Sequence, residues 1–141
     1  MNVDELKELA LRMVKALKNF ECYVFEKEEL KKVYELVKES GIKSLVTIRK
    51  ADPRYEHIYI LVPWSRDFGI ECKAIVDRAL SEGRISRESY KKEYAIMVAQ
   101  CIKHKERERI KDIIAKLEQY IKGNGDGGSA GKLIKIPFDY P

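Results

Sequence analysis

One histidine in a strand-like segment and two tyrosines in a later helical segment are the residues of this sequence best suited to chemistry. His57 stands in Tyr-Glu-His-Ile-Tyr, and Tyr90 and Tyr94 lie four residues apart. An imidazole can bind a divalent metal, and an activated phenol can attack a phosphoryl group. Side chains four residues apart share one face of a helix, so both tyrosines would face the same substrate. Together they suggest metal-assisted nucleophilic chemistry.

The segment Tyr-Glu-His-Ile-Tyr-Ile-Leu-Val-Pro (55–63) resembles the strand of HUH-type nucleases and single-strand transposases. In that family two histidines at i and i+2 bind a metal beside the scissile phosphate, and a tyrosine on a later helix is the nucleophile. The resemblance therefore implies a metal ligand at His57 and a nucleophile at Tyr90 or Tyr94. Tyr59 stands in place of the second histidine, and one histidine with a neighbouring glutamate is a poor metal site. An HUH-like relative is thus an alternative rather than the main prediction.

The cysteines do not indicate a metal or redox centre. Cys22, Cys72 and Cys101 are widely spaced and form no Cys-x-x-Cys pair. An odd number also argues against the disulfide framework of a secreted domain. We therefore expect reduced thiols in the core, no metal site, no cofactor and no catalytic residue.

The net positive charge comes from one stretch of the chain. The sequence has 28 Lys and Arg against 23 Asp and Glu, and residues 84–122 hold 11 of the former and 6 of the latter, so the rest is balanced. A basic helical arm on a neutral body is typical of a module that binds an anionic surface. We expect a non-enzymatic protein whose arm contacts RNA or DNA phosphates without reading sequence. The candidate contacts are Arg84, Arg87, Lys91, Lys92, Lys103, Lys105, Arg107, Arg109 and Lys111.

The apolar residues of the arm lie on two nearly opposite faces when positions are counted at about 100° per residue. The segment between the two sets, residues 103–109, contains no apolar residue. Either the helix breaks there or its two ends bury against different partners. In the second case residues 110–122 dock on a second copy or another protein, which makes an oligomerising or scaffold subunit the alternative function. The docking residues would be Ile110, Ile113, Ile114, Leu117 and Ile121.

The periodicity of the chain predicts one α+β domain over residues 1–122. Helices are expected over 3–19, from Leu30 to Gly41, between Asp67 and Gly83 and along the arm; strands are expected over 21–27, 44–50 and 55–63. A Gly-rich linker (123–131) leads to a tail (132–141) that could add an edge strand. This order matches the split βαβ plan of ferredoxin-like domains, with three to four strands, an extra N-terminal helix and an extended C-terminal arm.

One face of the predicted sheet carries aromatic residues. Alternation along the last strand puts Tyr59 on the face opposite Ile60, and Tyr23, Phe25 and Arg49 are expected to share the Tyr59 face. In ferredoxin-like RNA-binding domains such aromatic residues stack on bases while basic neighbours hold phosphates. Arg49 and Tyr59 are therefore further candidates for nucleic-acid contacts. The other interpretation is that helices cover this face and the aromatic residues belong to the core.

Composition indicates a folded protein without a membrane partner. Hydrophobic residues make up 45% of the sequence and charged residues 36%, with only two Gln and three Asn. Many ion-pairing groups with few labile amides favour a thermophilic source. No stretch approaches the roughly 18 apolar residues of a membrane span, and the first residues lack the apolar region of a signal peptide. We expect a cytoplasmic location.

Overall fold

The computed structural model of the chain describes residues 2–19, 21–52 and 55–123. The elements are α1 (Val3–Lys18), β1 (Tyr23–Glu26), α2 (Leu30–Ser40), β2 (Val46–Asp52), β3 (Tyr55–Pro63), α3 (Ile70–Ser81), α4 (Arg87–Lys105) and α5 (Arg107–Gly123). This mixture of helix and sheet confirms the α+β prediction. The rest of the linker after Gly123 and the tail 132–141 lie outside the described residues.

Several helix ends have the capping chemistry that the sequence predicts. The Asn2 side chain accepts a hydrogen bond from the Glu5 backbone N–H at 2.8 Å, and its amide donates to the Glu5 carboxylate at 3.0 Å. This reciprocal pair is a variant of the predicted capping box, because Glu5 accepts from the Asn2 side-chain amide and not from its backbone N–H. Gly41 ends α2 with φ of 79°, a left-handed conformation that glycine adopts without steric cost. Ser86 caps α4 by accepting from the Ser89 N–H at 3.0 Å.

The sheet has the strand order β1-β3-β2 within the described residues. Strand β3 is antiparallel to both neighbours, so β1 and β2 run parallel and are connected through α2. The third strand of the chain is therefore inserted between the two strands of a βαβ unit. A fourth, ferredoxin-like strand was assigned to the tail and falls outside the described part of the chain.

Both faces of the sheet are covered by helices. Tyr23, Phe25 and Leu61 pack into the main core, which also contains buried residues of α1, α2 and α5. On the opposite face Ile60 and Val62 pack with residues of α4. The alternation of β3 therefore sends successive side chains into two separate apolar layers.

The arm consists of two helices that pack on opposite sides of the sheet. The helix breaks at Glu106, whose φ and ψ are −101° and 37°. Helix α4 packs on α3 and on the Ile60 face, whereas α5 contributes to the core with α1 and α2. Of the two predicted alternatives, the helix break is the one found, and the two helices bury their apolar faces against different parts of the same chain. Opposed apolar faces on consecutive helices are the pattern that this arrangement requires.

The predicted docking residues of α5 are used inside the chain. Ile113 and Leu117 are 1% and 0% exposed, Ile110 is also buried, and Ile114 and Ile121 pack partly buried against the same core. A partner could reach this face only by displacing α1. The sequence pattern correctly identified an amphipathic helix, but periodicity does not reveal which apolar surface covers it.

Cys72 and Cys101 form a disulfide that joins α3 to α4, with their Cα atoms 5.7 Å apart. The prediction of reduced thiols is therefore wrong for these two residues, while Cys22 is a free thiol. Both disulfide positions lie in the small apolar cluster between α3 and α4, together with Val76 and Val98. A separation of 29 residues gives no sign in the sequence that the two sulfurs meet.

No helix in the described ranges is long and apolar enough to span a bilayer.

Candidate functional site

The histidine and tyrosines with potential chemistry do not come together. By strand alternation His57 lies on the same face of β3 as Tyr59, which packs against the main core. Tyr90 and Tyr94 instead pack beside the α3–α4 cluster. The Tyr90 hydroxyl donates to Asp77 at 2.7 Å, and this hydrogen bond raises the pKa of Tyr90. A raised pKa makes a phenol a weaker nucleophile at neutral pH. No cluster of three or more metal-ligating side chains occurs in the described part of the chain.

The aromatic face of the sheet is part of the core. The rings of Tyr23 and Phe25 stack with centroids 5.7 Å apart, and Phe25 and Tyr59 stack at 5.9 Å. Phe25 is only 3% exposed and Tyr59 is half-buried, so the core interpretation is confirmed and bases have no platform there. Arg49 was predicted to share this face, but it lies on the opposite face, because Val46 and Ile48 in β2 pack with Tyr59 and Arg49 is opposite Ile60. Its guanidinium instead donates to the Phe68 carbonyl at 3.3 Å.

Lys103, one of the predicted phosphate contacts, is a buried structural residue. Its ammonium group donates to the backbone carbonyl of Glu21, just before β1. Burial lowers the pKa of Lys103 because an apolar environment disfavours the charged form. The residue therefore connects α4 to the start of the sheet and does not present its charge to solvent.

Lys105 stabilises the loop between β3 and α3. Its ammonium contacts the carboxylates of Glu71 and Asp67, and the Glu71 contact raises the pKa of Lys105. Asp67 also accepts from the N–H groups of Glu71 and Gly69 and from the Ser65 hydroxyl, at 2.8 to 3.0 Å. These donors hold the pKa of Asp67 well below its usual range. The charge of Lys105 is thus largely neutralised within the fold.

Three other cations of the arm predicted to bind phosphate are also paired. Arg84 pairs with Glu82, Arg109 pairs with Glu106 and lies over the Trp64 ring, and Lys111 pairs with Glu108. Arg87 and Arg107 are exposed and form no ion pair with a described residue. Lys91 has an interaction partner, and the side chain of Lys92 is not among those described. The arm therefore presents a much weaker positive surface than its composition suggests.

A groove of about 390 Å³ separates α2 from β2 on the side of the main core. Its apolar surface comes from both elements: Val37 and Val46 are buried, Ile48 is half-buried, and Tyr34 is 54% exposed at the rim. The residues that line the groove are Tyr34, Val37, Lys38, Lys43, Val46 and Ile48. We refer to this feature as the α2–β2 groove. It is long enough along β2 to contact at least two successive side chains of the same face.

Beside this groove β2 is an edge strand among the described residues, with outward-facing backbone groups. The Trp64 N–H donates to the Leu45 carbonyl at 2.8 Å, so these two residues form a hydrogen-bonded pair. Bonded and non-bonded pairs alternate in an antiparallel ladder. Val46, opposite Pro63, and Ile48 are therefore at non-bonded positions, and their N–H and C=O groups point away from β3. Pro63 fits this pattern because it has no N–H to donate.

Two lysines stand at one end of the α2–β2 groove. Lys38 lies in the last turn of α2 and Lys43 lies in the connection to β2; both are exposed. Neither forms an ion pair with a residue of the described ranges. The connection 41–45 joins α2 to β2 and therefore bounds the groove at this end. The positive charge at this end is available to an anionic group.

The sequence did not identify this groove because its components are ordinary when considered singly. Tyr34 and Lys38 are typical of an exposed helix surface, and Val46 and Ile48 are typical of one face of a hairpin strand. The groove exists because strand order leaves β2 at an edge, which no local pattern determines.

Comparison with protein families, curated proteins and solved structures gave no match to this chain. Its function is therefore inferred from geometry.

Proposed function

We propose that this protein is a non-enzymatic binding protein that accepts an extended polypeptide segment in the α2–β2 groove as an added strand. The observation that carries the proposal is the pairing of outward backbone groups at Val46 and Ile48 with an apolar groove on the same edge. Strand addition uses both features, because main-chain hydrogen bonds supply affinity and side-chain pockets supply specificity.

The geometry fits a ligand with apolar side chains at alternate positions. Every second side chain of an added strand points to the same face of the sheet as Val46 and Ile48. Those side chains would enter the groove and pack against Tyr34, whose ring is half exposed in the free protein. If the tail residues 132–138 form a fourth, ferredoxin-like strand, the split βαβ plan places that strand beside β1 and leaves β2 open.

Replacing Tyr34 by alanine is expected to weaken peptide binding about tenfold without lowering stability, since an exposed aromatic contact contributes mainly to the interface. The probe is an array of labelled seven-residue peptides with Val, Ile, Leu or Phe at alternate positions, and the readout is fluorescence anisotropy. Leu11→Ala is the control, because Leu11 is 55% exposed on α1 and does not line the groove. Strand addition would be rejected if no peptide in the array bound, or if both variants changed affinity equally.

Nucleic-acid association through the arm is a second candidate, supported by the two exposed arginines Arg87 and Arg107 that have no ion pair among the described residues. If it operates, single-stranded RNA or DNA should bind at about 50 mM salt and much more weakly at about 200 mM. The double variant Arg87→Gln/Arg107→Gln should abolish binding, whereas Arg84→Gln should preserve it because Arg84 already pairs with Glu82. An anisotropy titration with no response at low salt would remove this candidate.

A further inference from the structure

We infer that the α2–β2 groove is selective for a segment that ends in a free C-terminal carboxylate, bound between Lys38 and Lys43. The inference rests on the proposed strand addition and specifies which part of the ligand this end of the groove recognises. Its basis is the position of two ammonium groups, neither in an ion pair with a described residue, at the end of the groove where the chain connects α2 to β2.

The direction of the bound segment follows from the position of the lysines. They lie where β2 begins, so a ligand whose last residue is beside them runs antiparallel to β2. Antiparallel pairing with Val46 and Ile48 uses the outward N–H and C=O groups already identified. The carboxylate would then lie just beyond Val46, within reach of the long side chains of Lys38 and Lys43.

A chain terminus fits this end better than an acidic side chain within a longer segment. The connection 41–45 crosses from α2 to β2, so a strand in the groove has no straight path past it. A terminal carboxylate also fits the charge of the site, because a charge-assisted hydrogen bond to lysine is stronger than one between neutral groups. The arm differs in this respect, because Lys105 and Lys111 already pair with carboxylates of the same chain.

The experiment compares one array peptide that binds the full-length protein in three forms: free acid, C-terminal amide, and free acid extended by four residues. The free acid should bind about tenfold more tightly than the other two. In Lys38→Met/Lys43→Met the free acid and the amide should bind with equal affinity, while the extended peptide should remain weaker because the connection 41–45 is unchanged. Lys31→Met/Lys116→Met is the control, since both lysines are exposed and do not line the groove; it should retain the preference.

Each outcome separates this inference from the proposed function. Equal affinities of acid, amide and extended peptide for the unmodified protein would overturn carboxylate recognition, while a continued effect of Tyr34→Ala would leave strand addition standing. A preference for the acid over the amide that survives in Lys38→Met/Lys43→Met would also overturn the assignment of these lysines. If no array peptide binds the full-length protein as either a free acid or an amide, both proposals are rejected.

Discussion

Replacing Leu117 by alanine should lower the free energy of unfolding by about 3 kcal/mol and leave the molecular mass in solution unchanged. Leu117 is fully buried on α5 in the core shared with α1 and α2. Truncation removes apolar contacts and leaves a cavity that the surrounding helices fill only partly. Urea denaturation gives the change in stability, and sedimentation velocity gives the mass. The two together distinguish a core residue from a residue that docks on another chain.

The matched control is Lys116→Ala, one position before Leu117 on α5. Lys116 is exposed, so its replacement should change stability by less than about 0.5 kcal/mol. A near-neutral effect of Leu117→Ala on stability, accompanied by a lower mass, would show that α5 docks between chains. That result would contradict the packing of α5 in the core of its own chain.

Reduction of the Cys72–Cys101 disulfide is expected to lower the free energy of unfolding by about 3.5 kcal/mol. The bond closes a loop between positions 29 residues apart, so it restricts the unfolded chain, and the loop-entropy relation gives a loss of this size. It also joins α3 to α4 across a cluster with few buried side chains. Urea denaturation with and without a dithiol reductant, at equal protein concentration, measures the effect.

Two variants control for the other thiol and for chemical effects of the reductant. Cys22→Ser should retain the full dependence on reductant, because Cys22 is outside the disulfide. Cys101→Ser should have the same stability with and without reductant. Identical stability of the oxidised and reduced native protein would contradict a structural role for this bond. A disulfide is compatible with the composition-based prediction of a thermophilic source, because intracellular proteins of hyperthermophiles commonly contain disulfides.

The sequence predicted most individual elements of the fold because their signals are local. The capping box of Asn2 and Glu5, the glycine that ends α2 and the alternation of β3 all depend on residues a few positions apart. The opposed apolar faces of residues 84–122 indicated either a helix break or burial against two different surfaces, and the break lies between α4 and α5. Local patterns could not predict which surface covers the apolar face of α5, because α5 packs on α1, about a hundred residues earlier in the chain.

The sequence could not show which cations of the arm the fold pairs, because hydrogen bonds and ion pairs join distant parts of the chain. Lys103 contacts the carbonyl of Glu21, 82 positions away, and Lys105 contacts Asp67, 38 positions away. A count of charges along the arm cannot include these partners. Lys38 and Lys43 show the converse, since they lie in a segment of balanced charge yet have no ion pair with a described residue. Pairing in the fold, rather than local excess, decides which charges a ligand can use.

The central claim is best tested by hydrogen exchange at the backbone amides of β2, measured by NMR on the full-length protein with and without a bound array peptide. In the free protein Val46 and Ile48 should exchange faster than Thr47 and Arg49, because only the latter pair is at hydrogen-bonded positions toward β3. Bound peptide should slow exchange at Val46 and Ile48 at least tenfold and leave Thr47 and Arg49 nearly unchanged. Unchanged exchange at Val46 and Ile48 under saturating peptide would contradict strand addition to β2.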